Sequence, residues 1–478
     1  MAHQSRNIGR DDFSRISGDR MMKLSEFPGA SSRRDFLRGA GSLPLTGVLL
    51  ASGAQAQSAQ NTDYRALVCI YLQGGWDNWS IFVPFDEASH AAYGEARGAM
   101  ALSQSELGSG VLQPRNDMEG RSFALHPQMT GLRDAFRNGD LAIVQNVGTL
   151  WQPVSKQGIR DGALIPSQLF SHNHQSRLAL AGYSDKANTG WGGRIADRMR
   201  GRNARQTLTS LNATTHAQFL SGADTSPYAI TEKGAVQLLD GDTSFFGTDI
   251  AQLVESVATG SHDNPMRDTL SDVTRRTLDH AGLLGSSFAR IDGSELPELQ
   301  IGSSDLAEQL RAIARAIAVG PSLGMRRQVF FARMHGWDTH SGGLGDVRIQ
   351  ASEIDRALSG FHRLLQRWGL SSAVTTASVS DFGRTLASNG DGSDHGWGGT
   401  SFVLGGAVAG GRIYGKSPTV ALDGPDTLSG GRLIPTTSTD QIAASLARWM
   451  GVADTDLASI ANNIGHFPAD QRALPIFR

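Results

Sequence analysis

Cysteine is almost absent from this chain, which has Cys69 alone among 478 residues. A single cysteine excludes a framework of internal disulfides and any zinc site built from four cysteines. An excess of basic residues is also lacking, because 44 Lys and Arg face 46 Asp and Glu. Without a positive field, nucleic acid is not an expected partner. No segment is apolar over the length that a membrane span needs, so no span is expected.

The first 56 residues carry the pattern of an export signal. Arg33 and Arg34 lie in the segment Ser-Arg-Arg-Asp-Phe-Leu-Arg, a weakly apolar run follows over 39–51, and Ala54-Gln55-Ala56 has the form of a cleavage site. This order predicts a twin-arginine signal over 1–56 and a mature protein that is periplasmic or secreted. An amphipathic basic helix is the alternative for these residues. The true start is Met1, Met21 or Met22.

Apolar runs alternate with amphipathic segments along residues 57–478. Strands are predicted at 66–72, 141–147, 328–334, 373–379 and 401–404, and helices at 127–138, after Ser304, at 347–368 and at 440–450. This alternation predicts an α/β fold in which a mostly parallel central sheet is flanked by helices. The pattern weakens over 196–300, so we predict that this stretch is an insertion or cap within a single domain.

Polar clusters follow the predicted strands, and ligands of open α/β sheets collect at the carboxyl ends of the strands. Asp338 and His340 come directly after the strand at 328–334, and His395 lies in a later Gly-rich loop. An Asp and a His two residues apart in extended chain point to the same side. The three residues are therefore predicted to bind a divalent metal ion, either zinc, manganese or iron. A hydrogen-bonded loop pair is the alternative for Asp338 and His340.

Other polar residues near these clusters have two possible roles each. Asp77 follows the first strand and either binds metal or holds its loop. Ser171 is either a helix N-cap or a nucleophile. His172 and His174 are either ligands or polar surface residues, and His172, which is adjacent to Ser171, is placed with the substrate. Arg384 either pairs with the oxyanion of the substrate or forms a structural salt bridge. The chain has no Gly-x-Ser-x-Gly elbow and no P-loop, which disfavours ordinary serine hydrolases and nucleoside triphosphatases.

Several short motifs occur together in one order. They are Arg-Arg-Asp-Phe-Leu, a strand ending in Gly-Gly-x-Asp, Phe-Ser-His, Gly-Trp-Gly-Gly-Arg at 190–194, His-Gly-x-Asp-Thr-His, Ser-Asp-Phe-Gly-Arg-Thr and Asp-His-Gly. Over about residues 67–452 this set resembles the family called domain of unknown function 1501. That family is grouped with the alkaline phosphatase and sulfatase superfamily.

The resemblance implies an alkaline phosphatase-like fold and descent from metal-dependent ester hydrolases. The three predicted ligands would match the first metal site of the superfamily, Asp381 a ligand of the second site, and Ser171 the nucleophile position. The superfamily has a His after that second-site Asp and an Asp at the end of the first strand. This chain has Phe382 and Gln73 at those places. A single metal ion is therefore expected.

Two functions follow as expectations. The first is hydrolysis of a phosphate or sulfate ester, on a small molecule or a polymer, by the exported protein. The second is non-catalytic binding of a glycan or of a co-exported partner protein. Most tryptophans lie near the motif loops, and an aromatic-lined cleft would suit stacking on sugars: Trp76, Trp79, Trp151, Trp191, Trp337 and Trp397. Trp337 and Trp397 are predicted to contact the substrate, with core packing as the alternative.

Overall fold

The structure, a computed structural model, describes residues 63–182, 188–216, 218–235, 244–245, 248–249, 256–261, 263–291 and 304–478. These residues all belong to one compact unit. The predicted signal over 1–56 lies outside the described residues. Among the residues described, no helix combines the length and apolar character needed to cross a membrane.

The strands are numbered in chain order as β1 (Arg65–Leu72), β2 (Phe82–Pro84), β3 (Phe123–Leu125), β4 (Leu141–Gly148), β5 (Ser210–Asn212), β6 (Tyr228–Thr231), β7 (Gly234–Ala235), β8 (Ser244–Phe245), β9 (Thr248–Asp249), β10 (Arg327–Met334), β11 (Val374–Ser380), β12 (Arg384–Ser388), β13 (Ser393–His395), β14 (Gly399–Leu404), β15 (Arg412–Tyr414), β16 (Thr427–Leu428), β17 (Arg432–Leu433) and β18 (Thr437–Ser438). The α-helices used below are α1 (Asn78–Ile81), α2 (Glu87–Arg97), α3 (Gln104–Leu107), α4 (Thr130–Asn138), α5 (Lys156–Arg160), α6 (His172–Ala181), α7 (Trp191–Met199), α8 (Pro265–Phe288), α9 (Asp305–Val319), α10 (Gly343–Arg367), α11 (Thr439–Met450) and α12 (Leu457–Ile460).

The main sheet has the strand order β15-β4-β14-β11-β1-β10-β5-β6-β7, and β18 also pairs with β4. Strand β14 is antiparallel to both of its neighbours, and β7 is antiparallel to β6. The other pairs in this sheet are parallel. The predicted fold class, a mostly parallel sheet flanked by helices, is therefore confirmed.

Strand β1 lies in the middle of this sheet and is buried on both faces. Val68 and Ile70 point into a core that includes apolar residues of α4, α9 and α10. Leu67 and Cys69 point into a second core that includes residues of α6, α7 and α11. Alternating side chains of one strand thus fill two layers, which explains why its sequence is apolar throughout rather than alternating.

Local signals in the sequence fix several ends of these elements. The Ser304 hydroxyl accepts a hydrogen bond from the Ala307 amide and caps α9, as its position predicts. Gly139 ends α4 in the left-handed conformation, with φ of 88°. Helix α10 begins four residues earlier than its apolar pattern indicates. Its first turn is instead held by a tertiary contact, the hydrogen bond from the Gly343 amide to the Asp391 carbonyl at 2.7 Å.

The stretch over 196–300 contributes to the sheet in its described part. Strand β5 continues the sheet beyond β10, with Ser210 opposite Val329, and β6 and β7 follow it. Helix α8 packs near this end, and its Leu284 and Phe288 enter the core on the α9 side. That the whole stretch is an insertion or cap stays a prediction.

The register of the central strands brings several loops to one edge of the sheet. Leu72, the last residue of β1, lies opposite Met334 of β10 and Ser380 of β11. Antiparallel β14 begins at this same edge, where Gly399 is opposite Val147 near the end of β4. The loops that follow β1, β10 and β11 and the loop that precedes β14 therefore meet at the carboxyl edge of the sheet.

Candidate functional site

Four side chains, which we call the His/Asp cluster, converge at this edge: His172, Asp338, His340 and His395. The Nε2 atom of His395 lies 3.0 Å from Nε2 of His172, 2.8 Å from Nε2 of His340 and 3.1 Å from Oδ1 of Asp338. His340 Nε2 is 3.1 Å from Asp338 Oδ1, and His172 Nε2 is 3.3 Å from Asp338 Oδ2. One ligand atom from each of His172, Asp338 and His395 thus lies within 4.8 Å of the others.

Different elements carry these four residues. His172 is the first residue of α6, Asp338 and His340 lie in the loop after β10, and His395 ends β13. Strand β13 is tied to β12, which places His395 opposite Arg384. The loop after β1 passes so close behind the cluster that a Cβ on Gly74 would lie 2.5 Å from the Asp338 amide nitrogen. With φ of 113°, glycine is the residue that this close approach allows.

The three histidines of the cluster each have an oxygen atom next to Nδ1, the ring nitrogen that points away from the centre of the cluster. An oxygen faces each Nδ1: an Asp381 carboxylate oxygen at 2.7 Å from His172, the Phe170 carbonyl at 2.8 Å from His395, and an Asp394 carboxylate oxygen at 3.4 Å from His340. An oxygen at Nδ1 favours the tautomer with its proton there, which leaves a lone pair on Nε2. Each ring therefore presents Nε2, an atom able to bind a metal ion, to the centre of the cluster.

The donor set of the His/Asp cluster fits a divalent cation. One Nε2 atom carries a single proton or a single lone pair, so His395 cannot hydrogen-bond to three neighbours at once. Ligands around a four-coordinate zinc ion with bonds of about 2.0–2.1 Å would be roughly 3.3 Å apart. The observed separations, from 2.8 to 3.3 Å, are close to that spacing. Imidazole and carboxylate ligands also match the zinc, manganese or iron predicted from the sequence.

Arg384, predicted to pair with the oxyanion of the substrate, is fully buried and has another role. Its Nη1 donates to Asp338 Oδ1 at 2.8 Å and to the Gly74 carbonyl at 3.2 Å, and its other nitrogens donate to Ser393. Burial opposes ionisation of Asp338, but the hydrogen bond from the Arg384 guanidinium holds the pKa of Asp338 below its ordinary value. Arg384 therefore keeps a cluster carboxylate charged and in place.

Asp381, predicted as a ligand of a second metal, contacts the cluster through the far side of the His172 ring. Its side chain is fully buried, and Oδ2 faces His172 Nδ1. Its Oδ1 accepts from the Tyr71 hydroxyl at 2.5 Å and from the Gly74 amide at 3.4 Å. The hydrogen bond to Asp381 raises the pKa of His172 above its ordinary value. These contacts allow Asp381 to orient the His172 ring, and its predicted role as a metal ligand stays a prediction.

Replacing Asp381 by asparagine should weaken metal binding about 10-fold to 100-fold, because the amide no longer fixes the His172 ring as the carboxylate does. Titration of the metal-free protein with zinc measures the affinity. Asp140→Asn is the matched control, since Asp140 also faces a histidine, at 3.1 Å from His362 Nε2. Asp140 directly precedes β4 and so lies at the opposite edge of the sheet. Equal zinc affinity in the Asp381 variant and its control would contradict the positioning role.

Asp77, also predicted as a possible metal ligand, points away from the His/Asp cluster into the protein. Its fully buried carboxylate pairs with Arg97 and accepts from the Ser80 hydroxyl at 2.7 Å and from the Trp79 amide at 3.2 Å. These contacts cap α1, so Asp77 holds the loop that follows β1. The next residue, Asn78, accepts a hydrogen bond from the Arg384 amide at 3.0 Å.

Ser171 stands immediately before His172, at the N-cap position of α6. Its side chain makes no capping hydrogen bond, whereas its carbonyl accepts from the Gln175 amide at 2.9 Å. Ser171 is therefore an N-cap by position, without the usual side-chain contact. A role as nucleophile stays a prediction.

The tryptophans predicted to line a substrate cleft are in the core, except for the partly exposed Trp151. Trp337 is 0% exposed and meets Trp76 edge to face, with ring centroids 5.8 Å apart. Trp397 is 1% exposed and donates its indole N–H to the Thr149 carbonyl at 2.9 Å. Trp79 and Trp191 are buried as well. Neither Trp337 nor Trp397 reaches the substrate side, which corrects that prediction.

Sequence reasoning left His172 open between a ligand and a surface residue, and it missed the supporting oxygens of Phe170 and Asp394. The motif Phe-Ser-His contained the signal for His172, because a histidine at the start of a helix can turn toward a loop cluster. Asp394 directly precedes His395 in the sequence, which is the only local signal for its position. The Phe170 carbonyl leaves no signal in the sequence, since every residue has one.

Two solved structures align with most of this chain at low similarity. The PsFucS1 sulfatase from Pseudoalteromonas sp. is 10% identical, with 88% of this chain and 72% of that chain covered and a TM-score of 0.35. Ps i-CgsB in complex with k-i-k-neocarrahexaose is 9% identical, with 84% and 75% covered and a TM-score of 0.31. Similarity at this level carries no argument about activity. No curated protein sequence matches the chain.

A family model gives the stronger result. The match extends over residues 64–462, which include all four members of the His/Asp cluster and every strand of the main sheet. The resemblance drawn from the motifs is confirmed at the level of the family. The chain therefore belongs to the family described as "Protein of unknown function (DUF1501)".

Proposed function

We propose that this protein is a metal-dependent hydrolase of phosphate or sulfate esters that uses one divalent cation bound by the His/Asp cluster. The observation that carries the proposal is the convergence of four ligand atoms at the carboxyl edge of the sheet. The cluster is open to solvent on one side, since the side chains of Asp338 and His340 are 46% and 45% exposed. A substrate can therefore reach the ion.

The residues around the cluster prepare it for binding. Asp381 and the Phe170 carbonyl orient two of the imidazoles, and Arg384 keeps Asp338 ionised. When bound, a divalent cation polarises an ester oxygen and lowers the pKa of water. Ser171, beside His172, or a water molecule is proposed as the attacking group. Phe382 closes one side of the site, with its ring centroid 4.9 Å from that of His172 and 4.7 Å from that of His395.

We further propose that the protein works outside the cytoplasm, in the periplasm or the medium. The support is the arginine pair and cleavage pattern within 1–56. The alternative function, non-catalytic binding of a glycan or of a partner protein, stays a prediction. An aromatic-lined cleft was one argument for it, and the tryptophans at the motif loops are buried, except for Trp151. Gln73 and Phe382, which depart from the superfamily pattern, still favour it.

Elemental analysis of the purified protein, followed by assays with aryl phosphates and aryl sulfates, tests the proposal. About one zinc, manganese or iron ion per chain is expected, as for a single four-ligand site. Hydrolysis should disappear after chelation, return when the metal is restored, and be absent from His395→Ala. His174→Ala is the matched control because His174 lies on the same helix but contacts Ser167 instead of the cluster.

The outcomes separate the parts of the proposal. Ser171→Ala should abolish hydrolysis if the serine attacks, and leave most of it if water does. Metal-loaded protein that hydrolyses neither ester would overturn the proposed activity. Metal-free protein that gains no thermal stability from zinc, manganese or iron would overturn the metal site as well.

A further inference from the structure

The ester hydrolysis proposed above needs a positive group to hold the anionic part of the substrate, and Arg384 does not supply it. Each of its bonds goes to protein acceptors, and its side chain is fully buried behind Asp338. The group must instead border the open side of the His/Asp cluster and keep N–H groups unused by the protein.

Arg432 is bonded to a residue of the cluster and keeps N–H groups that its described partners do not use. Its Nε donates to the carbonyl of His395, a cluster residue, at 2.8 Å, and its Nη1 donates to the Ser429 carbonyl at 2.7 Å. The guanidinium carbon lies 4.8 Å from the centroid of the Phe170 ring. Phe170 is 40% exposed, and its own carbonyl holds the His395 ring. Two backbone acceptors and one aromatic face therefore fix this guanidinium beside the cluster.

The charge of Arg432 is not neutralised by an acidic partner. No ion pair formed by the described residues includes Arg432, and its Nη2 has no acceptor among them. Asp394 is held by Asn389 at 3.1 Å and does not reach the guanidinium. The arginine thus has no acidic partner among the described residues and keeps a free pair of N–H groups near His395.

We propose that Arg432, stacked on Phe170, binds the oxyanion group of the substrate beside the His/Asp cluster. The ligand class is a tetrahedral oxyanion, phosphate or sulfate, because a guanidinium fork pairs two N–H groups with two oxygens of such an anion. This inference rests on the proposed function, since it assigns the anionic group of that substrate to one residue. Because Arg432 is already immobilised, little side-chain freedom would be lost on binding.

Calorimetric titration of inorganic phosphate and of sulfate into the metal-loaded protein tests the assignment. Arg432→Gln should weaken binding of the preferred anion about 10-fold to 100-fold, the loss expected for a hydrogen bond to a charged group. Arg432→Lys should give an intermediate loss, since it keeps the charge without the fork. Arg356→Gln is the control, because this exposed arginine contacts only Ser352 and lies about 20 Å along α10 from its start.

Metal content and melting temperature are measured on the same samples. A variant at Arg432 that keeps its metal and binds phosphate and sulfate like the wild type would overturn the assignment and leave the metal site standing. Protein that binds no metal would refute the proposed function. The anion titrations are then repeated on that metal-free protein, where a loss confined to the Arg432 variants supports the oxyanion site and an equal affinity overturns it.

Discussion

Replacement of His395 by alanine is expected to remove the bound metal while leaving the fold intact. His395 Nε2 is the atom within 3.1 Å of a donor atom on every other member of the His/Asp cluster. Without His395, the donor atoms of His172, Asp338 and His340 lack the ligand that lies between them. These three partly exposed side chains are expected to hold a divalent ion weakly. Elemental analysis after dialysis measures the result. The metal content should fall from about one ion per chain to a background level.

The matched variants make this result specific. His174→Ala removes a histidine two residues after His172 on the same helix and should keep the metal. Asp338→Asn should lose the metal, and it keeps an acceptor for Arg384. Asp338→Ala is expected to lose stability too, because it deprives the buried Arg384 of its carboxylate partner. Metal content that is unchanged in both His395→Ala and Asp338→Asn would remove the site assignment.

Replacement of Asp77 by alanine is expected to destabilise the protein by roughly 3 to 5 kcal/mol, because it leaves the buried charge of Arg97 unpaired. The side chains of both residues are 0% exposed. Arg97 would keep the Thr385 carbonyl at 3.1 Å, the Ser80 hydroxyl at 2.8 Å and its contact with the Tyr93 hydroxyl. Urea unfolding at neutral pH measures the free energy of unfolding and its midpoint.

Two further variants test the cause. Asp134→Ala removes the partner of an exposed ion pair with Arg137 and should cost less than about 1 kcal/mol. The double variant Asp77→Asn, Arg97→Met should lose less stability than Asp77→Ala, since no charge stays buried without a partner. A loss for Asp77→Ala no larger than for Asp134→Ala would refute the buried pair. Because α1 also carries Asn78, which binds the Arg384 amide, Asp77→Ala should weaken metal binding too.

Much of the fold follows from patterns in the sequence. The apolar run at 66–72 and those at 141–147, 328–334 and 373–379 are strands of the main sheet with ends within one residue of the prediction. Strand β1 is buried on both faces, so its side chains do not alternate between buried and exposed. Its unbroken apolar run in the sequence indicates this burial. The sequence of β14 contains no pattern that indicates its antiparallel direction, because strand direction depends on partners that are distant in the chain.

The candidate site divides in the same way. Position after a strand was enough to place Asp338, His340 and His395 at one edge, because the carboxyl ends of parallel strands meet there. The sequence did not reveal which polar residues turn toward the cluster and which turn into the protein. Asp77 turned toward Arg97, and Asp381 toward Tyr71 and His172.

The sequence by itself determined the family, the sheet and helix pattern and the loops that carry the chemistry, because apolar periodicity and strand-end motifs are local properties of the chain. The tertiary structure alone decided the roles of single side chains. Arg384 forms an ion pair with Asp338, His172 lies in the cluster beside Asp338, and Trp337 packs in the core against Trp76. Each role depends on a partner that is distant in sequence. Burial and hydrogen bonding depend on those distant partners, and no local pattern encodes them.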